Sequence, residues 1–141
     1  MKKLTCTLLA AASLAALAPA QCATLGITGA GTPGTTLQIS LDGTTANAIA
    51  FLMVSTTQGS TSLPLGPFGS LALGLAQPIL PVPIGMTNAT GDAALALLVP
   101  SAVTLGVDLF GQGVTFGFSF TPPTFGVSTC ASNVVAFHVG V

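Results

Sequence analysis

Apolar and polar side chains alternate with a period of two wherever a period can be read. Residues 36–41 alternate in this way, and Asp42-Gly43 then supplies the residue types of a tight hairpin turn. Residues 103–109 and 114–121 alternate on either side of the turn-like Gly111-Gln112-Gly113. The last two runs predict a hairpin with one apolar face directed at the core, and its phenylalanines are expected on that face.

Three further segments indicate strands in different surroundings. Residues 46–55 and 93–99 are apolar on both faces, which is typical of a central strand covered on both sides or of one that meets a partner. A short helix capped by Asp92 is the alternative for the second segment, but its neighbours are strands, so a strand is preferred. Pro81 and Pro83 lack their N–H groups on the same side of the chain, which predicts an edge strand.

These runs, separated by Gly, Pro, Asn and Asp turns, predict an all-β fold. The architecture expected is a single antiparallel β-sandwich of about eight or nine short strands. Residues 21–141 would form this sandwich, because roughly 120 residues is the size of one domain.

Residues 1–20 have the pattern of a secretory signal peptide. Lys2-Lys3 is the positive start, residues 4–17 are apolar, and Ala18-Pro19-Ala20 is the small-residue cleavage site. The apolar stretch is short for a membrane span, and every later apolar run is interrupted. We therefore expect cleavage after Ala20 and no transmembrane helix in the mature chain.

Charge is almost absent once the predicted signal peptide is removed. Lys2 and Lys3 are the only basic residues, and Asp42, Asp92 and Asp108 are the only acidic ones. Binding of nucleic acid and clamping of phosphate groups both need Lys or Arg, so we expect no nucleic-acid partner. Hydroxyl and amide groups would make a neutral surface that tolerates close packing against other molecules.

Cysteine use fits an exported protein. Cys6 lies in the signal peptide, which leaves Cys22 and Cys130, and an oxidising compartment favours one disulfide between them. Two free thiols are one alternative. Lipidation of Cys22 is another, although Gln21 stands where a small residue is expected.

Few residues could carry catalysis or bind a metal. His138 is the only histidine, and the alternation places it opposite the apolar side chains of its strand, at the surface. No Gly-x-Ser-x-Gly elbow is present. Zinc lacks ligands, and a weak calcium loop would depend on Asn88 and Asp92. Asn88-Ala89-Thr90 also matches a glycosylation sequon. We predict no catalytic residues, no metal site and no cofactor.

Several short motifs follow one another along the chain: Leu25-Gly26, Gly34-Thr35-Thr36-Leu37, Ile39-Ser40-Leu41, Leu63-Pro64-Leu65-Gly66 with Gly69, Asp92-Ala93-Ala94-Leu95, and Val99-Pro100 through Leu105-Gly106 to Gln112. With them the chain resembles a β-rich module of uncharacterised secreted proteins of planctomycetes and myxobacteria, over nearly all of residues 21–141. It departs from that module in lacking a central Gly-Cys pair. The resemblance implies an exported, disulfide-compatible sandwich without known catalytic residues.

Together these features favour an exported, non-enzymatic structural or interaction module of the cell surface or extracellular matrix. Its expected partners are copies of itself or other envelope or matrix proteins. It would be secreted or held at the cell surface, with the periplasm as the alternative location. One rival is a secreted hydrolase using His138 with an aspartate. The other is a small outer-membrane β-barrel, which the absence of Tyr and Trp disfavours.

Overall fold

A computed structural model describes residues 21–141, and the predicted signal peptide lies outside the described residues. Nine strands and one 3-10 turn form this part of the chain, so the predicted all-β fold is confirmed. The elements are β1 (Gln21–Thr28), β2 (Thr36–Asp42), β3 (Ile49–Ser55), β4 (Gln58–Pro64), the turn η1 (Gly66–Phe68), β5 (Ser70–Leu75), β6 (Leu80–Met86), β7 (Ala93–Leu98), β8 (Val107–Thr121) and β9 (Thr124–Val139).

Seven strands form one curled sheet in the order β6-β3-β8-β9-β1-β2-β7, and β4 pairs with β5 in a second, small sheet. The large sheet is nearly barrel-shaped. All neighbours are antiparallel except β1 and β9, which are parallel. Pro81 and Pro83 lie in β6 at one edge, as predicted. Residues 93–98 form the strand β7, so the alternative of a helix there is wrong. Because β7 lies at the other edge of the sheet, the expectation of a central strand is wrong for this segment.

The curled sheet separates two apolar cores. The first fills the inside of the curl and contains Leu25, Ile39, Leu41 and Leu52. The second lies between the outer face of the sheet and the small sheet, and contains Leu71, Leu73, Leu75, Met53, Val114 and Ala131. Because β3 contributes Leu52 to one core and Met53 to the other, its apolar residues on both faces are explained as predicted.

The predicted turn at residues 111–113 is wrong, because β8 runs through these residues without interruption. Neither glycine has a positive φ there. Gly113 is required by packing, since a Cβ at this position would lie 2.4 Å from Cδ1 of Leu41. Gln112 is 1% exposed; its amide nitrogen donates to the Ser132 carbonyl and its oxygen accepts the Gly74 N–H. The hairpin between β8 and β9 closes at Pro122-Pro123 instead.

Residues 42 and 43 do not form the predicted hairpin turn either. Gly43 has φ 78°, as a turn residue should, but β2 pairs with β1 and β7 whereas β3 pairs with β6 and β8. The loop after β2 instead bonds the loop between β6 and β7, with the Thr44 N–H donating to the Gly91 carbonyl at 2.9 Å. Sequence reasoning identified the local turn and missed its long-range partner.

Two cross-links hold β1 against β9. The predicted disulfide between Cys22 and Cys130 is present, with a Cα–Cα distance of 5.7 Å. The side-chain amide of Asn133 accepts the Leu25 N–H at 2.8 Å and donates to the Leu25 carbonyl at 3.3 Å. The pairing of β9 with its neighbours is irregular near this residue. The side chain of Asn133 therefore makes the two hydrogen bonds that a backbone peptide group would make in a regular sheet. The Cys22 sulfur used in the disulfide is the atom that lipidation would need.

Candidate functional site

The hairpin of β8 and β9 projects beyond its neighbouring strands. The pairing of β3 with β8 ends at Phe116, and the pairing of β1 with β9 begins at Ala131. Between these points β8 and β9 pair only with each other, from Gly117 opposite Ser128 to Thr121 opposite Thr124. We call residues 117–128 the arm. Among the residues that the structure describes, no strand pairs with either outer edge of the arm.

One face of the arm is apolar and faces solvent. Phe118 lies opposite Val127 and Phe120 lies opposite Phe125, so these four side chains share a face. The three phenylalanines are 58%, 70% and 52% exposed, in chain order. The expectation that they face the core is therefore wrong for this part of the strand. Phe116 packs against the second core, whereas Phe118, Phe120 and Phe125 are not among the residues that pack there.

A fourth phenylalanine reaches this face from a distant part of the sequence. Phe68 lies in η1, the connection between β4 and β5, and is 45% exposed. Its ring is 5.7 Å from that of Phe125 in an edge-on arrangement, and Phe118 stacks on Phe125 at 6.1 Å. We call Phe68, Phe118, Phe120 and Phe125 the phenylalanine surface. Residues 66–69 and 117–128 contain no charged side chain.

Sequence reasoning missed the phenylalanine surface, although a signal for the arm was present. The alternation of residues 114–120 is mirrored after Pro122-Pro123 by Phe125 and Val127. Such mirrored alternation indicates one long hairpin, which outruns the strands of ordinary length beside it. The contribution of Phe68 had no sequence signal, because it depends on how the small sheet packs.

His138 lies at the opposite end of the β8–β9 ladder and contacts Asp108. The two residues are cross-strand partners, and Nδ1 of His138 is 2.7 Å from Oδ1 of Asp108. Both side chains are solvated, being 47% and 85% exposed respectively. They border a cavity of about 420 Å³ that Phe110, Ala136 and Phe137 complete. The surface position agrees with the alternation of β9.

The Nε2 edge of His138 is covered by backbone. A methyl group added at Gly106 would lie 2.7 Å from Nε2, so the chain passes close to that nitrogen. Within residues 21–141, the side chain of Asp108 is the one protein group that hydrogen-bonds the imidazole. The pair has the orienting carboxylate of a general base, but none of the hydroxyls or thiols in the described part of the chain hydrogen-bonds the ring as a nucleophile would.

The loop containing Asn88 and Asp92 is closed by its own hydrogen bonds. Oδ1 of Asn88 accepts the N–H groups of Thr90 and Asp92, both at 2.9 Å. The Thr90 hydroxyl lies between Oδ1 of Asn88 at 2.7 Å and Oδ2 of Asp92 at 2.5 Å. The hydrogen bond from Thr90, followed by that from the Gly43 N–H, lowers the pKa of Asp92 below 3.8. The oxygens that a calcium loop would use are thus engaged in the turn itself.

Two shallow apolar grooves flank Ile79. One, of about 330 Å³, lies between β6 and the small sheet and includes Met53 and Leu73. The other, of about 370 Å³, lies between Leu80 and Leu109. Both could hold a small apolar group, but neither contains a charged side chain that would select one.

Comparisons with protein-family models, curated proteins and solved structures gave no match. Within residues 21–141, no helix has the length and apolar character needed to cross a membrane. In the same residues, no three His, Cys, Asp or Glu side chains gather where a metal ion could bind. The phenylalanine surface and the His138–Asp108 pair are thus the two features from which a function can be argued.

Proposed function

We propose that this chain is an exported, non-enzymatic interaction module of the cell surface or extracellular matrix. The phenylalanine surface is the observation that carries the proposal. Four phenylalanines lie together in solvent on an uncharged part of the molecule. Contiguous apolar patches on soluble proteins mark sites of interaction, because water-exposed apolar area is released on binding. A place among the exported β-rich modules that the chain resembles belongs to the same proposal.

The scaffold supports this function. A disulfide between β1 and β9 fits an oxidising compartment, whether extracellular or periplasmic. Residues 21–141 carry only three aspartates, no Glu, and neither Lys nor Arg, so electrostatic repulsion between neighbouring molecules is small. The arm projects from the sheet at a place where strand pairing has ended, which makes its apolar face accessible to a large partner.

Fractionation of the producing cells tests the proposal. We expect the protein in the medium or in the envelope and matrix fraction, and none in the cytoplasm. The double variant F118T/F120T should release the envelope-bound portion. The variant L98T is a matched control, because Leu98 is 64% exposed and lies on β7, away from the arm. A cytoplasmic protein, or envelope binding that F118T/F120T leaves unchanged, would refute the proposal.

A secreted hydrolase using His138 with Asp108 is the second candidate. The 2.7 Å contact between Nδ1 and Oδ1 favours it, because an aspartate in this position orients an imidazole. Activity would require a water molecule as nucleophile. Hydrolysis of a small activated ester by the oxidised protein would favour this candidate if H138A abolishes it and the control variant D42N retains it. Equal rates for the wild type and H138A would end it.

A further inference from the structure

We propose that the phenylalanine surface is the contact face of a homodimer, in which a second copy of this chain packs arm against arm. The inference deepens the proposed function and rests on it, since it names the partner of the surface from which that function was argued. Three properties of the arm lead to a second copy: its need for cover, the area of its apolar face and its lack of charge.

The arm needs cover because it is only two strands wide. Its rungs run from Gly117 opposite Ser128 to Thr121 opposite Thr124, and its outer edges pair with no strand among the described residues. A two-stranded ribbon is marginally stable in water unless its apolar face packs against something. Phe68 packs against Phe125 at one side, while Phe120 at the far end is 70% exposed. A partner lying on this face would supply the missing layer.

The apolar area is large enough to support a small dimer interface. A phenylalanine side chain presents roughly 200 Å². With exposures between 45% and 70%, the four rings leave about 450 Å² in water on each copy. Burying both surfaces would remove about 900 Å² from phenylalanine alone, against about 1,200 Å² for the smaller specific interfaces. Pro67, Pro122 and Pro123 are exposed beside the surface and would contribute more.

The chemistry of the surface favours a copy of itself. A twofold dimer places the same patch on both sides of the interface, so the patch must complement itself. An uncharged face of phenylalanine rings satisfies this condition without repulsion, and aromatic rings pack well edge-on or offset. A bilayer is a poorer partner, because residues 21–141 contain no Lys or Arg to attract anionic lipid and no Trp or Tyr to anchor at its interface.

Sedimentation equilibrium of the purified, oxidised full chain tests the dimer. Between about 1 and 100 µM, a range that suits a small interface, the average mass should rise toward twice that of one chain. F118T/F120T should weaken dimerisation by more than tenfold, and F120T alone should weaken it by a smaller factor. L98T should leave it unchanged. The urea unfolding transition of each variant, measured in parallel, verifies that the fold is retained.

Several results would overturn the inference. These are a wild type that stays monomeric up to 100 µM, a dimer that forms equally well in F118T/F120T, or one that L98T disrupts as strongly. Flotation of the wild type with phosphatidylcholine vesicles, lost in F118T/F120T, would assign the surface to lipid and also overturn it. A monomer that still binds envelope material through the arm refutes only the dimer. A dimer found in the cytoplasm refutes only the exported role.

Discussion

Gly113 lies in the middle of β8, with its α-carbon directed at Leu41 of β2 inside the first core. A Cβ at residue 113 would lie 2.4 Å from Cδ1 and 3.2 Å from Cδ2 of Leu41. Leu41 is fully buried, so its side chain has no solvent to move into. Replacing Gly113 by Ala should therefore destabilise the protein by overpacking, although the backbone conformation itself accepts alanine.

The expected magnitude follows from two opposing effects. Overpacking a well-filled core costs about 1–3 kcal/mol. Replacing glycine lowers the entropy of the unfolded chain and returns about 0.4–1 kcal/mol. G113A should thus lower the free energy of unfolding by about 1–2 kcal/mol. Leu41→Ala alone should cost about 2–5 kcal/mol, since it leaves a cavity in the first core.

A double-mutant cycle measured by urea denaturation of the oxidised protein separates packing from backbone strain. In the L41A background the added methyl group enters the cavity, so G113A should cost nothing or stabilise slightly. The coupling between the two changes should reach about 1–2 kcal/mol, as for residues in direct contact. G34A is the control, because Gly34 has φ 79° and nothing within 4 Å of an added Cβ. Its cost is strain, which L41A should not relieve.

A G113A variant as stable as the wild type would show that residue 113 has room for a methyl group beside Leu41. An equal loss of stability in both backgrounds would likewise contradict overpacking against Leu41. Equal losses would mean that residue 113 needs glycine for its backbone conformation, as in a turn, and that β8 does not continue through residues 111–113.

Three further predictions concern the disulfide, Asp92 and export. The variant C22S/C130S should lose up to about 4.7 kcal/mol of unfolding free energy, because the bridge closes a loop with a sequence separation of 108; equal urea midpoints for oxidised wild type and variant would contradict this. The pKa of Asp92 is lowered on folding, so its stabilising effect is complete above pH 3.8 and is lost as the pH falls through the lower folded pKa. As the pH is lowered, the urea midpoint of D92N should therefore fall less steeply than that of the wild type. An equal fall in both proteins would contradict the stabilising effect of Asp92. The exported protein should begin at Gln21 and resist trypsin even when reduced and unfolded, since residues 21–141 contain neither Lys nor Arg; mass spectrometry showing fragments would contradict cleavage after Ala20.

The predictions that succeeded depend on local chemistry. Pro81 and Pro83 cannot donate hydrogen bonds, so their strand had to lie at an edge, and β6 does. The apolar residues on both faces of β3 required cover on both sides, which the two cores provide. The failures concern turns. Glycine is typical of turns, but at residues 111 and 113 it is needed for another reason. Neighbouring side chains occupy the space that a Cβ would fill.

The sequence predicted only part of the candidate site. His138 and an aspartate were named as a pair, and the register of β8 against β9 places Asp108 opposite His138. The phenylalanines of residues 114–121 were expected in the core because alternation shows which side chains share a face. Alternation does not show how far along a strand that face is covered. Phe116 still packs against the second core, whereas Phe118 and Phe120, farther along the same face, are exposed.

Three properties could be predicted from the amino-acid sequence: the all-β class, the near absence of charge in residues 21–141 and the edge position of the proline-rich strand. Each follows from side-chain periodicity, ionisable groups or missing N–H groups, which are properties of individual residues and their near neighbours. Three other features became visible only in the folded molecule: β8 continues through residues 111–113, β2 and β3 do not form a hairpin, and Phe68 packs against the arm. These features depend on which distant segments occupy the space beside a residue, and that arises only when strands far apart in the chain pack together.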